Sequence, residues 1–306
     1  MFRVRLYVIL YVLTTLLSAC GGQGASSKAE RIVVIGDIHA DIGAAREAFR
    51  LAGGTDGNDN WIGEDLVIVQ LGDFIGRSYE DREVLDFILA VQDSATAAGG
   101  KVHVLIGNHE VFGARLELRW VPQEAYAAFD SIPGQNLDDP RLAHIPAEQR
   151  ARSAALMPGG YYAKRISEFP AVLRLGKTIF VHAGVTPHWA EYGVDRINEE
   201  ISQWFAGQTE QPVSARGMDH RNLDDSVVMS RHFSEDVGAE ECAMLEESLQ
   251  ILGAERMIVA HTVKESISAR CDEKVWLVDI GMSRYYGGKL QVLELINDEV
   301  TSVIEP

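Results

Sequence analysis

The chain has 306 residues, of which 46% are apolar and 24% charged, with a formal net charge of −17 and a sequence pI of about 4.9. That apolar share excludes disorder as a whole-chain description, and the length allows one large domain or two small ones. The acidic balance argues against non-specific nucleic-acid binding, so an anionic substrate needs a local positive centre such as a bound metal.

In chain order, Arg3 and Arg5 precede an apolar run at 6–17 that ends in Leu17-Ser18-Ala19-Cys20. A basic start, a short apolar stretch and small residues at its end describe a secretory leader rather than a spanning helix. The last four residues resemble a bacterial lipobox. That resemblance implies lipidation of Cys20, export, and a membrane anchor, with an ordinary signal peptide as the alternative. Residues 21–29, rich in Gly, Ser and Gln, read as a flexible tether. From 30 to 306 there is no repeat, low-complexity tract or Pro-rich linker, so this span is expected to be a single domain.

Short apolar runs at 32–35, 66–71, 102–106, 178–181, 257–260, 275–280 and 290–296 predict buried strands. Helical patterns fall at 42–52, 80–98, 194–205 and 239–252. This alternation predicts an α/β, layered fold with sheets covered by helices. Residues 114–162 carry helical pieces at 123–129 and 147–157 and read as a peripheral insertion, a common place for substrate contacts. Cys242 and Cys271 either pair in an oxidising compartment or remain free thiols; the absence of a C-x-x-C motif disfavours a thiolate metal site.

Five of the predicted strands run directly into polar residues: Gly36-Asp37-Ile38-His39, Gly72-Asp73 with Arg77, Gly107-Asn108-His109-Glu110, His182-Ala183-Gly184 and His261-Thr262. Ligands of open α/β sheets bind beyond the carboxyl ends of strands, so these residues are expected to converge. Taken singly, each has a structural reading; Asp37 is as suited to capping a helix, and a strand-end histidine to a backbone carbonyl. Their repetition at five strand ends predicts a metal site instead. Oxygen and imidazole donors without thiolate suit Mn, Fe, Zn or Co. Six ligands exceed what one catalytic ion with an open position takes, and fit two ions sharing a carboxylate.

The blocks GDIHAD, GDFIGR, GNHE, VHAG and AHT, in this order between residues 36 and 262, resemble those of the calcineurin-like metallophosphoesterases, and among them the phosphoprotein phosphatase branch. GNHEVFGARLELRWVPQEAYAAF, VVMSRHF and DIGMSRYYGG are similar to the bacterial Shewanella-like protein phosphatases. The resemblance implies a β-sandwich flanked by helices and a phosphomonoester hydrolase with two divalent ions and a bridging hydroxide. By motif position it implies Asp37 and His39 at the first metal, Asp73 bridging, and Asn108, His182 and His261 completing the second. His109 would be the general acid, and Arg77 and Arg231 would bind phosphate oxygens together with Asn108; Tyr285, beside Tyr286, would line the rim. Glu110 would orient His109 or an arginine, or serve as a first-turn helix acid.

Two positions depart from the branch: Gly76 stands where an Asp normally orients the acid histidine, and Ala183 where a Gly is usual. His103 is expected to be a packed strand residue, and His232, beside Arg231, a neighbour of substrate or a bystander. The substrate implied is a phosphoprotein. Two alternatives are a hydrolase of nucleotides or dinucleoside polyphosphates, and a metal-binding surface lipoprotein without activity.

Overall fold

The computed structural model describes residues 30–212, 214 and 226–306. Cys20, the leader, the tether and His220 lie outside the described residues. The chain folds into two mixed five-stranded sheets flanked by helices, a single domain. The first sheet has the order β10-β9-β1-β2-β3, built from β1 (Arg31–Ile35), β2 (Val67–Gln70), β3 (Lys101–Val104), β9 (Val292–Ile296) and β10 (Glu299–Ile304). The second has the order β4-β5-β6-β8-β7, from β4 (Val172–Leu175), β5 (Thr178–Val181), β6 (Arg256–Val259), β7 (Ser268–Arg270) and β8 (Val275–Leu277). In the first sheet β1, β2 and β3 are parallel, with Ile32 opposite Val67 and Val67 opposite Lys101. In the second β5, β6 and β8 are parallel, with Thr178 opposite Arg256 and Met257 opposite Val275. The outer strands β9, β10, β4 and β7 run antiparallel to their neighbours.

Apolar residues of both sheets, among them Val33, Val69, Phe180 and Ile258, belong to one continuous core. Their strands read as unbroken apolar runs because helices cover the faces that would otherwise meet water. Helix α1 (Ile42–Leu51) starts where the Asp41 carboxylate accepts the Ala44 N–H at 3.1 Å, and it buries Ala45, Ala48 and Phe49. Helix α2 (Asp81–Ala98) packs on β3, burying Val84, Leu85, Ile88, Val91 and Ala95 at helical spacing, and it stops at Gly99 in the left-handed conformation.

The insertion contributes four short 3₁₀ turns, Gln123–Ala125, Ala127–Phe129, Pro140–Leu142 and Ala147–Gln149, and α4 (Arg150–Leu156). Its Leu142, Ile145, Ala154 and Met157 form a small cluster of their own, whereas Phe129, Ala155 and Leu156 enter the main core. It is therefore anchored to the domain rather than only laid on it. Between and beyond these lie α3 (Asn108–Ala114), α5 (Tyr161–Ile166), α6 (Pro187–Tyr192), α7 (Val194–Phe205) and α8 (Ala239–Leu252). Cys242 in α8 and Cys271 after β7 form a disulfide, with Cα atoms 5.3 Å apart. His103 sits in β3 opposite Val69, where burial lowers its pKa to about 4.

Candidate metal centre

The carboxyl ends of the parallel strands of both sheets meet at one edge. There β1 delivers Asp37 and His39, β2 delivers Asp73 and Arg77, β3 delivers Asn108 and His109, β5 delivers His182, and β6 delivers His261. Backbone bonds lock the first two loops together: the Asp73 carbonyl accepts from both Ile38 and His39, at 3.1 and 2.8 Å, and the Phe74 carbonyl accepts from Ala40 at 2.9 Å. His39, Asp73, Arg77 and His261 all hold positive φ, of 51°, 54°, 74° and 64°. Non-glycine residues in that region store strain of order 1 kcal/mol each, and such strain concentrates where side chains are aimed for function.

Asp73 lies at the middle. Its Oδ2 is 3.7 Å from His39 Nε2 and 4.0 Å from His109 Nε2, and its Oδ1 is 3.4 Å from His182 Nε2. Two groups of potential ligands therefore share it: His39, Asp73 and His109, and Asp73, His182 and His261. Asp37 closes the first side, with Oδ2 3.6 Å from His39 Nε2. On the second side the Leu71 carbonyl lies 2.8 Å from His182 Nδ1 and can only accept, so Nδ1 carries the proton and Nε2 keeps its lone pair. That lone pair faces Asn108 Oδ1 at 3.0 Å and His261 Nδ1 at 3.2 Å.

These residues fit a pair of cations. Acceptor atoms of Asp73, Asn108 and His182 crowd one another, and among the described residues the buried His39 Nδ1 and His261 Nε2 have no hydrogen-bond partner. Burial holds His39 neutral, its pKa lowered to about 4, and His182 likewise, to about 3; burial also pushes His109 and His261 well below the usual histidine range. Neutral imidazole is the form that ligates metal. Burial raises Asp73 to about 6 against the pull of His39, Arg77 and Arg231, and burial together with the neighbouring Asp279 and Asp73 carboxylates raises Asp37 well above the usual carboxylate range.

Above the ligands opens a cavity of about 180 Å³, lined by Arg77, His109, Phe112, Trp120, Arg231 and Tyr286 with the ligands below. The Arg77 guanidinium lies over the Trp120 ring at 4.0 Å and faces Tyr285 at 5.3 Å; its Nε is buried without a partner, and its backbone N–H donates to the Trp120 carbonyl at 2.8 Å. Arg231 Nη1 donates to Thr262 Oγ1 at 3.0 Å and to Glu235 at 2.8 Å, which leaves the rest of its fork at the cavity. Tyr286, not Tyr285, forms the wall, 5.4 Å from the His39 ring; Tyr285 is about half exposed outside it. His232 lines a different groove, between α6 and α8.

Glu110 touches neither His109 nor an arginine through its carboxylate. It accepts the N–H groups of Gly107, Asp73, Phe74 and Ile75 at 2.7–3.2 Å, tying the β2 loop to the start of α3. Of the two readings of Glu110, the first-turn helix acid is the one found, and it does not orient His109: a fully buried carboxylate beside four amides that need an acceptor serves those amides first. At Gly76, φ is 74° and a Cβ would sit 2.3 Å from His109 Nδ1, so this backbone has no room for the aspartate usual there. His109 is instead seated against the His39 ring at 4.7 Å and the Phe112 ring at 5.4 Å.

Trp120 and Phe112 escaped the sequence reading because neither follows a strand or shows a period. A further buried carboxylate, Asp279 beyond β8, also escaped it; it sat inside an apolar run read wholly as strand.

The calcineurin-like phosphoesterase family model matches residues 30–265. Shewanella-like protein phosphatase 2 of Arabidopsis thaliana is 34% identical across 92% of this chain and 79% of its own length. Shewanella-like protein phosphatase 1 of Plasmodium berghei (strain Anka) is 27% identical across 83% and 68%. The crystal structure of the cold-active protein-tyrosine phosphatase of a psychrophilic Shewanella sp. superposes with a TM-score of 0.68 over 89% of this chain and 77% of that one, at 21% identity, which speaks for the fold. With a shared aspartate between two ligand groups and a family match that spans every strand-end motif, the chain belongs to the calcineurin-like phosphoesterases and is a metal-dependent phosphatase of the Shewanella-like kind.

Proposed function

We propose that this phosphatase removes phosphate from protein tyrosine residues, outside the cytoplasm. The observation that carries the substrate reading is the cavity wall: Phe112, Trp120 and Tyr286 surround the place where a leaving group must sit, with Arg77 and Arg231 beside it. Aromatic walls suit an aryl ester more than a short alkyl one. The matched relatives are named protein phosphatases, which favours phosphoprotein over a nucleotide or dinucleoside polyphosphate. Nothing in the site favours a non-catalytic lipoprotein.

In this reading Asp37, His39 and Asp73 hold one divalent ion, and Asp73, Asn108, His182 and His261 the other, with Mn, Fe or Zn as the pair. When bound, the two ions supply an activated water and a clamp on the phosphoryl oxygens. Arg77, stiffened by its aromatic stack, presents its planar fork to the phosphate, and Arg231 lines the same cavity. His109 gives a proton to the departing phenolic oxygen once the phosphate dianion bound beside it draws its pKa back up. Because no carboxylate backs it at Gly76, it works best on leaving groups that need little help, and a phenolate is such a group. The Cys242–Cys271 disulfide suits an oxidising compartment and supports export; lipidation at Cys20 would then anchor the chain to a membrane.

The test is kcat/KM on phosphotyrosine, phosphoserine and phosphothreonine versions of one peptide. A preference of at least tenfold for phosphotyrosine is expected. Equal rates, or a preference for a nucleotide, would overturn the reading.

A further inference from the structure

Six parallel strands end at the metal centre, three from each sheet, and the ligands proposed above use five of them. The sixth, β8, runs through Val278 into Asp279, which is 1% exposed. Its Oδ1 accepts the Gly281 N–H at 2.9 Å, and its Oδ2 is buried with no hydrogen-bond partner among the described residues. The neighbouring Asp279 carboxylate helps push the Asp37 carboxyl above its usual range. Gly36 makes the approach possible. A Cβ there would lie 2.6 Å from the Val278 carbonyl oxygen and 3.2 Å from the Asp279 Cα, so any other residue would push the two loops apart.

An orphaned carboxylate oxygen sealed against a second carboxylate is among the costliest arrangements a core can hold. It persists where something positive completes it. Arg284, five positions further on, does not, since its guanidinium is spent on Asp41 and Glu80. Asp37 and Asp73 together offset only half the charge of two divalent cations. A third carboxylate beside them brings the centre closer to neutrality, which matters most where water is excluded.

We propose that Asp279 is a third carboxylate of the metal centre, a positioning residue that supplies the charge and the free acceptor required by the cation at Asp37 and His39. This rests on the two-ion reading above. Asp279 completes a pattern in which every parallel strand of both sheets contributes at least one polar residue to the centre.

Asp279→Asn keeps an oxygen for the Gly281 N–H and nearly the same shape, and it removes the charge. Mn²⁺ is titrated calorimetrically into metal-stripped full chain, wild type and variant, and melting is followed with and without Mn²⁺. Wild type is expected to take up two ions. The variant is expected to bind one of them about 10- to 100-fold more weakly, the range seen when partners behind metal ligands are lost. Without metal, the variant is expected to melt no lower than wild type, because a repulsion between like charges has been removed. Two unchanged affinities would overturn the proposal. So would an equal fall in melting temperature with and without Mn²⁺, which marks a purely structural residue. If Asp279→Asn does not fold, Asp279→Ser is titrated in its place and read by the same criteria. Wild type binding fewer than two ions would instead overturn the two-ion reading on which this role depends.

Discussion

Arg152 of the insertion and Asp81 at the start of α2 form an ion pair whose loss should be felt in both folding and turnover. Arg152 Nε donates to Asp81 Oδ2 at 2.8 Å, and the two side chains are only 2% and 0% exposed. The other oxygen of Asp81 accepts the Gly76 N–H at 2.6 Å, so the pair braces the loop that carries Arg77 and seats His109. Removing one member of such a pair leaves a buried charge without its partner, at a cost of about 3–5 kcal/mol. Arg152→Met is expected to lose that much stability and to lower turnover of an aryl phosphate through the loosened Gly76 loop. Asp81→Asn, which keeps an acceptor for Gly76, should cost a similar amount because Arg152 is then stranded. The double variant removes both charges and should recover about 2 kcal/mol or more relative to the sum of the singles. Equilibrium unfolding in urea, with the disulfide intact and tryptophan fluorescence as the probe, measures all three. Losses below about 1 kcal/mol each, adding without coupling, are what an exposed pair gives, and they would refute the argument.

Other consequences follow from the same geometry. Trp120→Ala removes the ring under Arg77, a contact worth about 0.5–2 kcal/mol, so kcat/KM for p-nitrophenyl phosphate should fall about 2- to 30-fold while Trp120→Phe retains most of it; equal kinetics for Ala and wild type would show the stack to be idle. Gly76→Ala places a Cβ 2.3 Å from His109 Nδ1 on a backbone with φ of 74°, so turnover should drop at least about tenfold with metal content unchanged; wild-type turnover would mean that His109 has room to move. Reduction of the Cys242–Cys271 disulfide, which closes a loop of sequence separation 29, should remove about 3.6 kcal/mol of stability by loop-closure entropy. Urea midpoints with and without reductant measure this, and coincident midpoints would contradict it.

Much of this site was legible because chemistry and topology coincide in the sequence. Asp37, Asp73 and Asn108 each follow a glycine at a strand end, and His182 and His261 directly follow apolar runs. A reader who knows that parallel strands present their carboxyl ends together can collect them without coordinates. Asp279 obeys the same rule, but Ile280 after it extends the apolar run and hides the boundary. The choice between Tyr285 and Tyr286 depends on the turn set by Arg284, whose bonds to Asp41 and Glu80 are long-range. Glu110 was ambiguous for a similar reason, since three of its four amide partners come from the β2 loop, more than thirty positions away.

The unread strands share a weakness. The edge strand β10 alternates half-buried and exposed residues, β7 has three residues with none fully buried, and β4 buries only Val172 of its four. None of them offers the continuous apolar run that marked the central strands. The short α3 and α6 are held by what they pack on, and seven or six residues leave too little periodicity to read.

The most direct test of the account is p-nitrophenyl phosphate hydrolysis by the full chain, stripped of metal and refilled with Mn²⁺, beside Asp73→Asn. Asp73 is the residue common to both ligand groups. The account predicts no turnover without metal, recovery as two ions are bound, and no recovery in Asp73→Asn at any Mn²⁺ concentration that restores wild type. Turnover by metal-free protein, or wild-type rates in Asp73→Asn, would contradict a centre built around that shared carboxylate.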